Sequence, residues 1–298
     1  LTEPSLFDRQ TPLPDSDLAH RAKTLIGFKP RYEAVRDQLR LLIDAGKLPE
    51  WNKKHHNGRL DLGALVQDQY PFVIFHGDVG TGKSAFAECI SNQLVAESRT
   101  EDSLLFKLSN RVRGSGMVGQ MGTFISQAFH DVIATIGKTR RAILIIDEGD
   151  SLAASRSQDH SHHEDKVGVN TLIQHIDELR KYNGRFLVIL CTNRLSALDP
   201  ALIRRAAVIA AFSRPTAAER RDLLLSDLKG LEPSASDIEH LVAATGERPG
   251  RPGWTYSDIR TRLYPTALAK AYPDHPLTIK LLLQVAERLG PSPVMEDK

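Results

Sequence analysis

Five short apolar runs, separated by segments of helical period, leave this chain few folds to choose from. The runs are Phe72–His76, Leu104–Leu108, Ala142–Asp147, Phe186–Cys191 and Val208–Phe212. Each is shorter than a typical helix and nearly continuous in apolar residues rather than alternating. A strand of that kind is buried on both faces, as in a parallel sheet. Between the runs, residues 83–97, 122–136 and 167–180 read as helices, and Phe124, Ala128, Val132 and Ile136 share one helix face. This alternation predicts an α/β fold with a parallel five-stranded sheet sandwiched by helices. After Phe212 the strands stop. Residues 216–228, 235–244, 257–271 and 277–289 read as helices, with Thr216, Ser234 and Ser257 as N-caps. The break near 213–215 predicts a large α/β domain over 25–213 and a small all-helical lid domain over 214–298. Residues 1–24 carry Pro4, Pro12 and Pro14 without an apolar period and predict a flexible arm. Tyr32, Val35, Leu39, Leu42 and Ile43 predict a helix, and 51–70 reads as a polar connector.

Composition narrows the function classes. With 298 residues, 41% hydrophobic and 26% charged, the chain is neither disordered nor fibrous. Its 39 basic less 37 acidic residues give +2, too little for an overall nucleic-acid footprint. The longest apolar runs fall far short of the ~20 residues that span a bilayer. No charged-then-apolar leader opens the sequence, which sets the expectation of a cytoplasmic protein. Cys89 and Cys191 are too few for a disulfide framework and read as two free thiols.

Residues 77–84 read Gly-Asp-Val-Gly-Thr-Gly-Lys-Ser, the full phosphate-loop pattern G-x-x-x-x-G-K-[ST], between a predicted strand and a predicted helix. Glycines let backbone N–H groups turn inward around phosphates, and the helix N-terminus adds positive potential. Gly77, Asp78, Val79, Gly80, Thr81, Gly82, Lys83, Ser84 and Ala85 are the nucleotide-binding candidates, with Lys83 on the β- and γ-phosphates and Ser84 on Mg²⁺. The most apolar run ends in Asp147-Glu148. Asp147 would orient Mg²⁺ through its water shell, and Glu148 would polarise a water for in-line attack on ATP. The next run ends in Thr192-Asn193, whose amide could hold that water or a γ-phosphate oxygen, or simply turn the chain.

The loop, the Asp-Glu strand end, Thr192-Asn193 and the segment Leu198-Asp199-Pro200-Ala201-Leu202-Ile203-Arg204-Arg205 together resemble the AAA+ ATPases over roughly 25–289. That resemblance implies ATP hydrolysis in a homohexameric ring with nucleotide between protomers. It makes Ile26 and Gly27 the adenine border, Asn193 the sensor 1 residue, and Arg205, with Arg204 as its rival, the finger acting on the neighbouring subunit. Tyr256-Ser257-Asp258-Ile259-Arg260-Thr261-Arg262 resembles the sensor 2 helix, with Arg260 preferred over Arg262. Met117-Val118-Gly119 aligns with the pore loop that grips a peptide, Met standing where relatives carry an aromatic. Residues 155–166, with His160, His162 and His163, fall in the second pore-loop region, where a solvated loop is preferred over a metal site.

One branch fits further. Arg205-Ala206, Arg262-Leu263-Tyr264-Pro265 and Pro276-Leu277-Thr278-Ile279 resemble segments of the pachytene-checkpoint, or thyroid-receptor-interacting, remodellers. Those ATPases pull open HORMA-domain proteins, and bacterial members accompany a HORMA protein and a CD-NTase in antiphage (CBASS) defence. The resemblance therefore implies a protein substrate rather than nucleic acid or membrane. The alternatives are a DNA-handling AAA+ ATPase of helicase or clamp-loader type, and a nucleotide-gated scaffold.

Overall fold

The computed structural model describes residues 6–98, 102–109, 120–152 and 163–295. Its sheet has six strands: β1 (Phe7–Leu13), β2 (Phe72–Gly77), β3 (Ser103–Leu108), β4 (Arg141–Ile146), β5 (Phe186–Thr192) and β6 (Val208–Phe212), in the order β1-β3-β4-β5-β2-β6. The pairs β3–β4, β4–β5 and β2–β5 are parallel. The five expected strands are present, and β4 and β5 are buried almost throughout. Helices Gln120–Ile136 and His163–Glu178 bury Phe129, Val132, Leu172 and Ile176 in a common core with Leu144, Val188 and Leu190.

The sixth strand corrects the sequence reading. Residues 7–24 are not an arm. β1 pairs antiparallel with β3, from Phe7 opposite Leu108 to Leu13 opposite Ser103. A helix, Ser16–Thr24, follows, its N-terminus capped by Asp15, which accepts from Leu18 N at 2.8 Å. An edge strand has one unpaired side and alternates buried with exposed residues, so Pro12 fits there and no apolar run marks it. The segment is held by long-range contacts. Asn92 accepts from Asp15 N at 2.7 Å and donates to Asp15 O at 3.0 Å. Arg9, Arg21 and Lys107 all converge on the buried carboxylate of Glu88, at 3.4, 2.7 and 3.3 Å. The expected connector at 51–70 likewise holds two helices, Leu48–His56 and Leu62–Gln67.

The chain divides into two compact units. One runs to His76 and resumes over Ser84–Ala211. The other joins Gly77–Lys83 to the residues from Phe212 onward. In the second unit, helices Ala217–Asp227 and Ala235–Ala244 begin with capping boxes on Thr216 and Ser234, as expected. The next helix differs. Ser257 lies inside it, and the cap is Thr255, whose hydroxyl accepts from Asp258 N while Asp258 accepts from Thr255 N, both at 3.0 Å. That helix continues through a wide turn at Asp258–Leu263 into Tyr264–Ala271, and Ile279–Arg288 follows behind a Thr278 cap. Trp254, Leu223, Leu241, Ile259 and Leu282 are fully buried at its core.

The buried Glu88 carboxylate accepts from three partly exposed cations, of which Lys107 also pairs with Asp147. Glu88→Gln is expected to cost about 2 kcal/mol of stability, because charge-assisted bonds to a buried acceptor are weakened. Urea unfolding measures this, and an unchanged midpoint would show the cluster to be energetically idle.

Candidate functional site

Parallel pairing delivers several strand ends to one edge of the sheet. His76 lies opposite Thr192, and Ile146 opposite Leu190, so Asp147 follows β4 at the level where β5 runs into Thr192-Asn193. The Asp147 carboxylate accepts from Glu148 N at 3.0 Å and pairs with Lys107 at 3.5 Å. Burial alone would lower the Lys107 pKa, but the Glu88 and Asp147 carboxylates outweigh it and hold the ammonium above its ordinary value. Glu148 has φ +52° and an exposed side chain. A left-handed glutamate costs roughly 1–3 kcal/mol, and such strain persists where the fold imposes it. Here it falls on the residue that follows Asp147, two positions beyond the end of β4.

Two supports of this edge escaped the sequence reading. Asp150 accepts from the Thr192 hydroxyl at 3.3 Å and from Asn193 N at 3.4 Å, fixing the end of β5. Its signal was present, three residues after Asp147. Gly149 lies so close to Leu190 that a Cβ would fall 2.6 Å from Leu190 Cγ.

In the second unit, the chain enters the loop directly after His76. Gly80 and Gly82 hold φ +78° and +93°, backbone that side chains with a Cβ rarely adopt. A Cβ on Gly80 would lie 2.6 Å from Ser257 Cβ and 2.7 Å from Thr255 Oγ1, whereas one on Gly82 would meet no atom within 4 Å. The loop is therefore packed on one side and open at Gly82. The buried Lys83 donates its ammonium to Gly77 O at 2.8 Å and Asp78 O at 2.9 Å, and Thr81 Oγ1 donates to Asp78 O at 2.8 Å. An open glycine cradle with a lysine ammonium, at the start of the sixteen-residue helix Lys83–Ser98, is the donor set that a polyphosphate requires.

The remaining candidates are placed as follows. Gly27, at φ +71°, starts the helix Phe28–Ile43, and Ile26 O accepts from Arg31. Arg205 grips Asp177 with Nε at 2.6 Å and Nη2 at 3.0 Å, donates to Ala201 O, and lies 5.7 Å from the Tyr70 ring centre. Arg204, beside it, is exposed. Arg260 is bidentate to Asp227, both bonds 2.8 Å, so its guanidinium is engaged within the helices. Arg262 donates to Asp258 at 3.0 Å. Asp258 is the partner of the Thr255 cap, and Thr255 packs on Gly80, so Arg262 is the one connected to the loop's packing. Met117, Val118 and Gly119 lie outside the described residues, as do the side chains of 155–166. Cys89 and Cys191 are buried and not disulfide-bonded, and burial pushes the Cys89 thiol up to about 11.

Residues 73–214 match the family described as "ATPase family associated with various cellular activities (AAA)". CD-NTase-associated protein 6 of Escherichia coli (strain KTE188) is 59% identical over 297 residues, covering 100% of each chain. The chain belongs to the CD-NTase-associated protein 6 family of AAA ATPases. A chain in the solved structure of the E. coli MS115-1 HORMA:CdnC:Trip13 complex is 38% identical, with TM-score 0.87, covering 99% of this chain and 100% of that one. The structure of Rhizobiales Trip13 is 32% identical, with TM-score 0.70, over 97% and 100%. Membership in the family makes the protein a nucleotide-binding ATPase. Among the described residues, no helix is long and apolar enough to cross a membrane.

The close packing at Gly80 is testable. Gly80→Ala must shift the loop off Thr255 and Ser257, and nucleotide affinity is expected to fall by about tenfold or more. A titration with fluorescent ATP reads this, and wild-type affinity in the variant would contradict the packing argument.

Proposed function

We propose that this protein is the ATP-driven remodelling subunit of an antiphage system, a cytoplasmic homohexameric ring that pulls on a HORMA-domain protein controlling a CD-NTase. The observation that carries this reading is the chain-length match to a chain of the solved HORMA:CdnC:Trip13 complex. The match to CD-NTase-associated protein 6 supports it. The +2 net charge lends no support to the DNA-handling alternative.

The loop would take the phosphates of ATP, with Lys83 turning from its carbonyl partners to the β- and γ-oxygens. Ser84 and Asp147 would hold Mg²⁺, Asp147 largely through water. Bound there, the metal neutralises charge that develops on the phosphoryl oxygens. Glu148, an exposed carboxylate directly after the strand-end Asp147, takes the proton from the attacking water. Asn193, braced by Asp150, orients that water or the γ-phosphate. Ile26 and Gly27 border the adenine. Arg205 is engaged by Asp177, which supports Arg204 as the arginine presented to the next protomer. Arg262, or Arg260 after release from Asp227, serves as the sensor in the helical domain. Met117, Val118 and Gly119 are assigned to substrate contact on their sequence alone.

Glu148→Gln is expected to keep ATP binding while turnover falls by about 10²–10⁴-fold. In ATP it should accumulate a complex with the HORMA protein, read by size exclusion with light scattering. Turnover stimulated by DNA but indifferent to a HORMA protein would overturn the remodelling assignment. Arg204→Ala is expected to lower turnover by about 10³-fold without weakening ATP binding. Mixing it with a Glu148→Gln subunit should then restore part of the rate, because finger and base come from different chains. Failure of both effects would move the finger role to Arg205.

A further inference from the structure

The second residue of the phosphate loop is an acid. Asp78 places a carboxylate in a segment that receives a triphosphate, one residue from Gly77 and on the same residue whose carbonyl holds the Lys83 ammonium. A bare carboxylate there would repel the ligand and compete for Lys83. The structure does not leave it bare. Arg214, just beyond β6, reaches Asp78 Oδ2 with Nε at 2.6 Å and Nη2 at 2.5 Å. Both side chains are largely enclosed, at 13% and 9% exposure. The other carboxylate oxygen accepts from Val79 N at 2.9 Å and Met295 N at 3.3 Å. Arg214 spends its remaining donors on backbone carbonyls, with Nη1 to Gly253 O at 2.7 Å and Nη2 to Ser292 O and Pro293 O at 2.9 and 3.1 Å. Ser292 in turn donates through N and Oγ to Asp258, the partner of the cap that packs on Gly80.

We propose that Arg214 is a positioning residue for ATP. It neutralises Asp78 and turns its carboxylate toward residues 292–295, so that the loop presents only N–H groups and the Lys83 ammonium to the phosphates. This rests on the reading of residues 77–84 as the ATP site. An acid is tolerated in the loop because the Arg214 guanidinium cancels its charge, and the affinity of the cradle depends on that cancellation. A methionine at 214 keeps the stem and the packing but removes the charge and leaves the carboxylate facing the ligand. The penalty should grow with ligand charge and shrink with salt, which a merely structural defect would not do.

The experiment is a double-mutant cycle on the full chain, with fluorescent ATP and ADP at about 50 and 300 mM salt. Arg214→Met is expected to weaken ATP by about tenfold or more at low salt, and ADP by distinctly less. Added salt should narrow the gap. The double variant Arg214→Met/Asp78→Asn is expected to return to within about threefold of the wild type. Wild-type ATP affinity in Arg214→Met would overturn the proposal. So would a double variant as weak as the single one, since Arg214 would then act through the tail carbonyls and not through charge. If Arg214→Met fails to fold, Asp78→Asn alone decides: tighter ATP binding at low salt supports the proposal, and weaker or unchanged binding overturns it. Lys83→Ala is run beside them. Unimpaired ATP binding in that variant would sink the reading of the loop itself, a result separable from failure of the Arg214 effect.

Discussion

Parallel pairing governs where the chemistry of this chain can sit. Antiparallel neighbours would send alternate strand ends to opposite edges. Here β4, β5 and β2 all point the same way, so Asp147, Thr192-Asn193 and the entry to the phosphate loop come to one edge. Hydrophobic pattern alone does not fix the register of such strands, because both faces are apolar. Close tertiary contacts do: Gly149 lies against Leu190, and Asp150 collects Thr192 and Asn193. The residues after the acidic strand end therefore serve as a brace for the neighbouring strand, and the placement of Asn193 depends on them.

The same edge carries a problem of charge. Asp147 needs a cation nearby when no metal neutralises it, and Lys107 provides one at 3.5 Å. A half-buried lysine is itself costly unless paired, and Glu88 pairs it. Glu88 is deeper still, and Arg9 and Arg21 balance it from the segment that precedes the core. The chain of ion pairs thus runs from the N-terminal strand and helix to the acidic strand end, which gives residues 7–24 a place in the site's support.

What the sequence disclosed follows from the range of the interactions involved. The five core strands, the phosphate loop, the Asp147-Glu148 pair and the caps on Thr216 and Ser234 are local patterns, set by residues a few positions apart. β1 is not local: it exists because β3 offers a free edge about 95 positions away. Its polar alternation and Pro12 look like coil until the partner is known. The Thr255 cap was missed because Ser257 is an equally good capping residue, and only the Asp258 side chain bonding back to Thr255 N decides between them. The packing of the loop was also hidden. Sequence order places Gly77–Lys83 in the α/β domain, yet their contacts are with Phe212, Arg214, Thr255, Ser257 and Met295.

Two adjacent arginines show how structure separates what a motif leaves together. Asp199 caps the short helix Pro200–Ile203 by accepting from Ala201 N at 2.9 Å. At the other end, Arg205 closes on Ala201 O and on both oxygens of Asp177, with the Tyr70 ring beneath it. The backbone from 199 to 205 is therefore held at both ends. An exposed side chain on such a base loses little backbone freedom when it engages a partner, so more of its contact energy survives as binding or transition-state stabilisation. Arg204 stands on that base. Arg205 is engaged in holding the segment still, and its neighbour is left exposed on it.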